Sequence, residues 1–288
     1  MSEFFLEKRL KEKNPELHQR MRDGIVVLQQ MLQSYQSWFP GFTDHTILHS
    51  MTVLDFCNRI LGERQIQRLT AEECNVLIMA CYLHDAGMGI SKKDFEEFSK
   101  EIDFGDYFET NPEAGETDII RAFHHDYSGL LIRKYAEFFD IPSEELVFSL
   151  IQVSRGHRKT NLYDETEYPD LQTENGTIRT SLLAAIIRLA DEIDVASDRN
   201  PELLYDSSKL KRKENIEAFG THESITRVEI LEDSIALYIK PKGPEYIPLI
   251  EKLVKKVQET LDYCRDVVEK RSDFRIAQEK VVLIDDDA

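Results

Sequence analysis

Apolar residues recur every three or four positions over much of the first 200 residues, a spacing typical of amphipathic helices. Residues 1–38 are predicted to be helical on this basis. The capping box Thr70–Glu73 predicts the start of a helix that ends at the adjacent pair His84 and Asp85. Further predicted helices lie at residues 119–132, 144–153 and 182–195. The pattern therefore indicates a mainly α fold.

The last quarter of the chain has a different pattern. The predicted elements there are two strands, a long helix and a third strand, at residues 225–230, 235–239, 246–270 and 281–284. Residues 160–176, earlier in the chain, are predicted to be a polar loop. We therefore predict a helical domain over residues 1–213 and a small α+β module over residues 214–288, which could serve dimerisation, binding of a protein partner or regulation.

The charge of the chain is strongly acidic. Of the 288 residues, 41% are hydrophobic and 31% are charged, and 36 basic against 54 acidic side chains give a net charge of −18. Such a surface repels the phosphate backbone of long nucleic acids at long range. A small anion gathered by a local group of cations remains compatible with it.

Neither targeting nor membrane insertion is indicated by the sequence. Residues 1–10 lack the apolar core of a signal peptide, and no run of about 18 apolar residues occurs. The four cysteines form no C-x-x-C pair and favour reduced, buried thiols; they are Cys57, Cys74, Cys81 and Cys264. We expect a cytoplasmic protein that does not contact a membrane.

Candidate chemistry begins with the adjacent pair His84 and Asp85, which lies at the end of an apolar helix and just before two glycines. An imidazole and a carboxylate on a sharply turning backbone can both point at one divalent cation. The alternative is an ordinary helix end, in which the histidine interacts with the last carbonyl groups and Gly87 is a C-cap.

The pair is preceded by His49 and followed by His124, His157 and Asp191. This order of residues resembles the HD superfamily of metal-dependent phosphohydrolases, whose motif is a His, a His-Asp pair and a distant Asp. The resemblance spans roughly residues 40–200. The positions that match the motif and its extended form are His49, His84, Asp85, His124, His157 and Asp191. The chain has Gly156 where the branch that cleaves cyclic dinucleotides has the first of two adjacent histidines, so that substrate is not carried over.

The resemblance implies an HD-type helical bundle that holds one or two divalent transition-metal ions. Imidazoles and carboxylates together suit manganese, iron, cobalt, nickel or zinc. All six matching positions are implied ligands, and Asp85 is implied to bridge two ions. If His124 and His157 do not bind metal, one of them could act as a general acid. The implied catalytic residues are therefore Asp85, His124 and His157.

Asp191 is informative by itself, because it lies in an almost wholly apolar predicted helix. A charged, unpaired carboxylate there would cost several kcal/mol, so it needs a cation or tight hydrogen bonds. Asp194 follows on a related face and could support the site or pair with Arg188.

Several other polar residues are candidates for substrate contact. His45 shares a helix face with His49, and three cations flank His157. Cations at a helix end can complement the helix dipole, and they can equally neutralise a phosphoryl group. The predicted substrate-binding residues are His45, Arg155, Arg158, Lys159 and Arg188.

Three functions are compatible with these features. The first is a phosphohydrolase that cleaves a nucleotide or another small phosphoester with metal-activated water. The second is a di-iron oxygenase, since a minority branch similar to this family uses the same ligand order to activate oxygen. The third is a non-catalytic nucleotide sensor or scaffold, which would bind its ligand without turnover. Formation of a homo-oligomer is possible for each.

Overall fold

The structure is a computed structural model, and it describes residues 4–32, 47–158, 160–196 and 213–286. The helices within these ranges are α1 (Phe5–Lys13), α2 (Pro15–Leu32), α3 (Ile47–Ile66), α4 (Ala71–Leu83), α5 (Lys92–Phe98), α6 (Tyr107–Thr110), α7 (Glu116–Tyr135), α8 (Glu144–Arg155), α9 (Thr180–Glu192), α10 (Lys213–Glu223) and α11 (Ile247–Arg271). The strands are β1 (Asp170–Thr173), β2 (Gly176–Arg179), β3 (Ile225–Ile230), β4 (Ser234–Ile239) and β5 (Lys280–Asp285). The predicted mainly α fold with a small α+β part is confirmed.

Two segments differ from the prediction. Residues 1–38 are predicted to be helical, and the described part of this stretch forms two helices, α1 and α2, which part at Asn14 and Pro15. Proline has no amide hydrogen and suits the first position of a new helix, while the Asn14 side chain accepts a hydrogen bond from the Leu17 amide at 3.0 Å. Residues 33–38 lie outside the described residues.

The second difference is a β-hairpin within and just after the segment predicted to be a polar loop. Strands β1 and β2 pair antiparallel, with Leu171 opposite Ile178. Each strand has only four residues, so neither is long enough to show a clear alternating pattern in the sequence. Gly176 has a φ of 134°, which the turn of the hairpin requires and which glycine adopts readily.

Helix α4 forms the centre of the helical bundle. Every residue from Ala71 to Leu83 is buried, and the helix packs against α1, α2, α3, α8 and α9. A helix that is buried all round belongs to the interior of the fold. The predicted capping box is confirmed: the Thr70 side chain accepts from the Glu73 amide, and the Glu73 carboxylate accepts from the Thr70 amide.

Glu73 also ties α4 to the start of α9. Its carboxylate is fully buried and accepts hydrogen bonds at 2.7 Å from both Nε and Nη2 of Arg179, and at 3.1 Å from the Arg179 amide. A buried carboxylate is tolerated when its charge is paired and its oxygens accept hydrogen bonds, and both conditions are met.

The C-terminal elements form a three-stranded sheet with strand order β3-β4-β5. Strands β3 and β4 are antiparallel, and β5 runs parallel to β4 after the crossover through α11. Helix α11 packs along α9. The division of the chain at residue 213 and a role of the C-terminal part in dimerisation stay predictions.

Two simpler expectations can be compared directly with the structure. All four cysteines are free and buried. Among the residues that the structure describes, no helix combines the length and apolarity needed to cross a bilayer.

Replacing Glu73 by alanine will destabilise the protein strongly, because it leaves the half-buried Arg179 guanidinium without its main partner. We expect a loss of about 3–5 kcal/mol in the free energy of unfolding, measured by urea denaturation. Glu63→Ala, at an exposed position of α3, is the matched control and should change stability by less than about 0.5 kcal/mol. Equal effects of the two substitutions would contradict the anchoring role of Glu73.

Asp94 should make stability depend on pH at the junction of α5 and α7. Burial alone would raise the pKa of Asp94, but hydrogen bonds from Lys134, Ser91 and Tyr135 outweigh it and lower the pKa. A carboxyl group whose pKa is lower in the folded state stabilises the fold above its unfolded pKa, near 3.9, and loses that effect as pH falls further. Asp94→Asn should therefore lower the melting temperature at pH 7, and the difference from the parent should shrink below about pH 4. A difference independent of pH would contradict this.

Candidate metal centre

Five elements bring the matching histidines and aspartates together. His49 lies in the first turn of α3, and His84 and Asp85 follow the last turn of α4. Asp191 lies at the end of α9. The remaining two are His124 in α7 and His157 just after α8. Residues from distant parts of the chain therefore meet at one point.

The first group of possible ligands consists of His49, His84, Asp85 and Asp191. Nε2 of His49 lies 3.1 Å from Nε2 of His84, and 3.4 and 3.3 Å from the nearest oxygens of Asp85 and Asp191. Two atoms that are each about 2.1 Å from one cation lie roughly 3.0–3.4 Å apart at octahedral to tetrahedral angles. The observed spacings fit a single bound cation.

The second group consists of Asp85, His124 and His157. The Nε2 atoms of the two histidines are 2.9 Å apart, and they lie 3.2 and 3.6 Å from Oδ1 of Asp85. The first group is approached by the other oxygen, Oδ2. Asp85 thus presents one carboxylate oxygen to each group.

Each of the four histidines is oriented through its Nδ1 atom. Three Nδ1–H groups donate to backbone carbonyls of the same helical turn: His84 to Cys81 at 3.1 Å, His124 to Arg121 at 2.8 Å and His157 to Ser154 at 2.5 Å. Nδ1 of His49 lies 2.5 Å from Oδ2 of Asp194. A carbonyl or carboxylate oxygen accepts here, so each ring carries a proton on Nδ1 and turns its Nε2 atom to the centre.

This arrangement fits a metal ion chemically. Two pairs of bare Nε2 atoms face each other at 3.1 and 2.9 Å, beside two carboxylates. Lone pairs at that distance repel unless a proton or a cation lies between them. The set of nitrogen and oxygen donors suits divalent transition metals, so the residues present can hold such an ion.

Without a cation, protons take over part of its role. Burial by itself would lower the pKa of His84, but the Asp85 and Asp191 carboxylates outweigh burial and raise it. Burial raises the pKa of Asp191, yet hydrogen bonds from His49 and His84 hold it well below its ordinary value. Burial, with positive charge on neighbouring histidines, lowers the pKa of His157. The centre thus favours a positive charge between His84 and Asp191.

The sequence allows two interpretations of the His84-Asp85 pair, a metal site and an ordinary helix end, and each describes a different ring nitrogen of His84. As in an ordinary helix end, Nδ1 of His84 bonds a carbonyl of the last turn, but Nε2 faces the centre. Gly87 is not needed as a C-cap: a Cβ there would lie 2.2 Å from the His124 carbonyl oxygen, so glycine allows α7 to approach the turn. The Ser128 hydroxyl joins the two segments by donating to the His84 carbonyl and accepting from the Gly87 amide.

A cavity of about 680 Å³ adjoins the centre. His157 and Asp191 line it, as do two of the predicted substrate-binding residues, Arg158 and Arg188. Arg158 is exposed. Arg188 is buried, and its guanidinium donates to the Gly156 carbonyl at 2.7 Å and to the carbonyl and hydroxyl of Thr160.

Of the three remaining predicted substrate contacts, the structure describes Arg155. Arg155 donates to Asp126 at 2.8 Å and to Glu167 at 2.9 Å, and it does not line the cavity. Two carboxylates therefore already engage its guanidinium. His45 and Lys159 lie outside the described residues. At Gly156, a Cβ would lie 2.5 Å from that of Ala184, so α8 and α9 leave no room for the additional histidine of the cyclic-dinucleotide branch.

Some residues around the centre were not identified from the sequence as parts of the site. Ser128 follows His124 by four residues, a spacing that indicates only a shared helix face. The sequence contains no signal for the side chains of α11 that line the cavity, such as Lys256 and Tyr263. They follow Asp191 by more than 60 residues and lie in the last quarter of the chain, where the hydrophobic pattern is different. The sequence leaves open whether Asp194 supports the site or pairs with Arg188, and its spacing of three residues from Asp191 is the available signal.

Comparison with known proteins agrees with the geometry. The family model described as HD-CE matches residues 39–273, most of the chain. Searches of curated proteins and of solved structures give no significant match. The family match covers all six positions that the sequence motif predicted, and the structure brings them together in two groups that can hold metal. The chain therefore belongs to the HD-CE family, an HD-domain-like family.

Proposed function

We propose that the protein is a metal-dependent phosphohydrolase that cleaves a nucleotide or another small phosphoester. The observation that carries the proposal is the position of Asp85, whose two oxygens face two separate groups of histidines. A carboxylate shared in this way is suited to bridging two cations about 4 Å apart, a spacing used in enzymes that hydrolyse phosphate esters.

In this proposal the ligands divide into two sets. His49, His84 and Asp191 would hold one ion, His124 and His157 would hold a second, and Asp85 would contribute to both sites. When bound, the ions lower the pKa of a water molecule to supply hydroxide and neutralise charge on the phosphoryl group. Asp194 keeps the proton of His49 on Nδ1 and so leaves Nε2 free to bind.

The substrate approaches from the cavity beside α9, since Asp191 and His157 line it. Its volume is in the range of pockets that hold small organic ligands. Arg158 provides an exposed cation at this cavity, while Arg188 holds the backbone of residues 156 and 160 in place. We assign Arg155 a structural role, because its donors serve Asp126 and Glu167.

The net charge of the protein supports a small substrate. A net charge of −18 disfavours approach by a long polyanion. A single nucleotide carries far less negative charge than a long nucleic acid, and cations bound at the centre would attract its phosphate groups.

Metal content will test the two sets of ligands. The desalted parent, loaded with manganese, should retain two ions per chain by mass spectrometry of the metal. The double variant His124→Gln/His157→Gln should retain one, because the first set stays complete. His18→Gln, on α2, is the matched control and should behave as the parent, since His18 pairs with Glu7 away from the centre. A parent that holds a single ion would contradict the bridging role of Asp85.

Turnover will test the reaction. The parent with manganese should hydrolyse at least one member of a panel of nucleoside mono-, di- and triphosphates, cyclic nucleotides and dinucleotides, with products separated by chromatography. Asp85→Ala should lower the rate by more than about 100-fold, because both sets of ligands lose a shared oxygen. Asp106→Ala, at an exposed position just before α6 that belongs to neither group of possible ligands, should keep the parent's rate.

Absence of turnover in a metal-loaded parent would overturn the hydrolase proposal. Colour or a paramagnetic signal from bound iron would then favour an oxygenase, since the same donor set suits iron. Tight nucleotide binding without either property would favour a sensor.

A further inference from the structure

Helix α11 forms one wall of the cavity beside the candidate metal centre. The α11 residues that line it are Lys256, Glu259, Thr260 and Tyr263, and their spacing of three to four residues places them on one face of the helix. The opposite wall consists of α9 and the segment after α8. The last long helix of the chain therefore contributes directly to the space next to His157 and Asp191.

The aromatic part of this wall is held rigidly. The Tyr263 hydroxyl accepts a hydrogen bond from the Leu162 amide at 2.9 Å. The guanidinium carbon of Arg188 lies 5.1 Å from the centre of the Tyr263 ring, a distance at which cation and ring attract. Since backbone and hydroxyl groups fix Arg188, the wall has a defined shape before any ligand enters.

The polar part of the wall offers positive charge. Nζ of Lys256 lies 2.7 Å from Oε1 of Glu192, the residue that follows Asp191. An ammonium group has three donors and Glu192 uses one, while the Lys256 side chain is 58% exposed. Across the cavity, Arg158 forms no salt bridge with the residues that the structure describes, although its charge acts on the Glu192 carboxylate and lowers the pKa of that group against the effect of burial. Two cations on different elements therefore line the same cavity.

We propose that α11 completes the substrate site: Lys256 and Arg158 bind an anionic group of the substrate other than the phosphoryl group held at the metal centre, and Tyr263 shapes the space between them. This inference rests on the proposed function. It narrows the substrate to phosphate compounds with at least two anionic groups, such as nucleoside di- and triphosphates. Lys256 is then a specificity residue supplied by the C-terminal part of the chain.

Binding of simple phosphates to the full chain loaded with manganese will test this, because binding needs no turnover. Inorganic phosphate can occupy the metal centre alone, whereas inorganic tripolyphosphate can also extend into the cavity. Lys256→Gln should weaken tripolyphosphate binding about 3- to 10-fold, the loss expected for a charge-assisted hydrogen bond in a partly exposed position, and should leave phosphate binding unchanged. The measurement is isothermal titration calorimetry at fixed ionic strength.

Lys252→Gln is the matched control, since Lys252 is an exposed lysine one turn earlier on α11 that does not line the cavity. It should bind both phosphates as the parent does. Lys256→Arg should retain most of the tripolyphosphate affinity. Arg158→Gln, at an exposed position that forms no salt bridge, should show the same selective loss even if Lys256→Gln folds poorly.

Equal affinity of the parent, Lys256→Gln and Arg158→Gln for tripolyphosphate would overturn the inference, as would an equal loss in Lys252→Gln. These results are separate from those on turnover. If the parent hydrolyses a nucleotide and Lys256→Gln does so with the same KM, the inference is overturned and the hydrolase proposal stays intact. A selective loss of tripolyphosphate binding in a protein without turnover would support the anion site and count against hydrolysis.

Discussion

The buried ion pair between Glu73 and Arg179 sets the positions of the two helices that matter most for the site. Helices α4 and α9 both begin at this pair, and both contain 13 residues. A helix rises about 1.5 Å per residue, so each of the two is roughly 20 Å long. Their other ends also meet, with Nε2 of His84 3.6 Å from Oδ1 of Asp191. His84 with Asp85 and Asp191 lie at those ends. The ion pair at one end and the candidate metal centre at the other therefore join the same two helices.

The Glu73–Arg179 pair is attractive, whereas the candidate metal centre brings together groups that repel one another. Its four imidazoles are buried, and three are held by carbonyl groups of their own helices. The rings cannot turn away to relieve the repulsion of their lone pairs without losing these hydrogen bonds. Folding energy thus holds the donors in place, and a cation that binds there returns stability to the fold.

The sequence could predict what depends on neighbouring residues or on a specific motif. The cap at Thr70, the strands β3, β4 and β5, and the six matching positions are of this kind. Contacts between distant residues could not be predicted: Glu73 meets Arg179 across 106 residues, and periodicity contains no information about which helix will be the partner. The hydrophobic pattern also does not predict the role of Gly87, because that role depends on how closely α7 passes this residue.

The packing of α11 along α9 has a consequence for how the protein matures during synthesis. All six histidine and aspartate positions have been translated once residue 191 is added, but the helix that covers α9 comes only with residues 247–271. Until then, the apolar side of α9 that α11 will cover faces water. A product of interrupted translation could thus carry every residue of the motif while lacking one wall of the site, so the complete motif in a fragment does not by itself indicate a complete binding site.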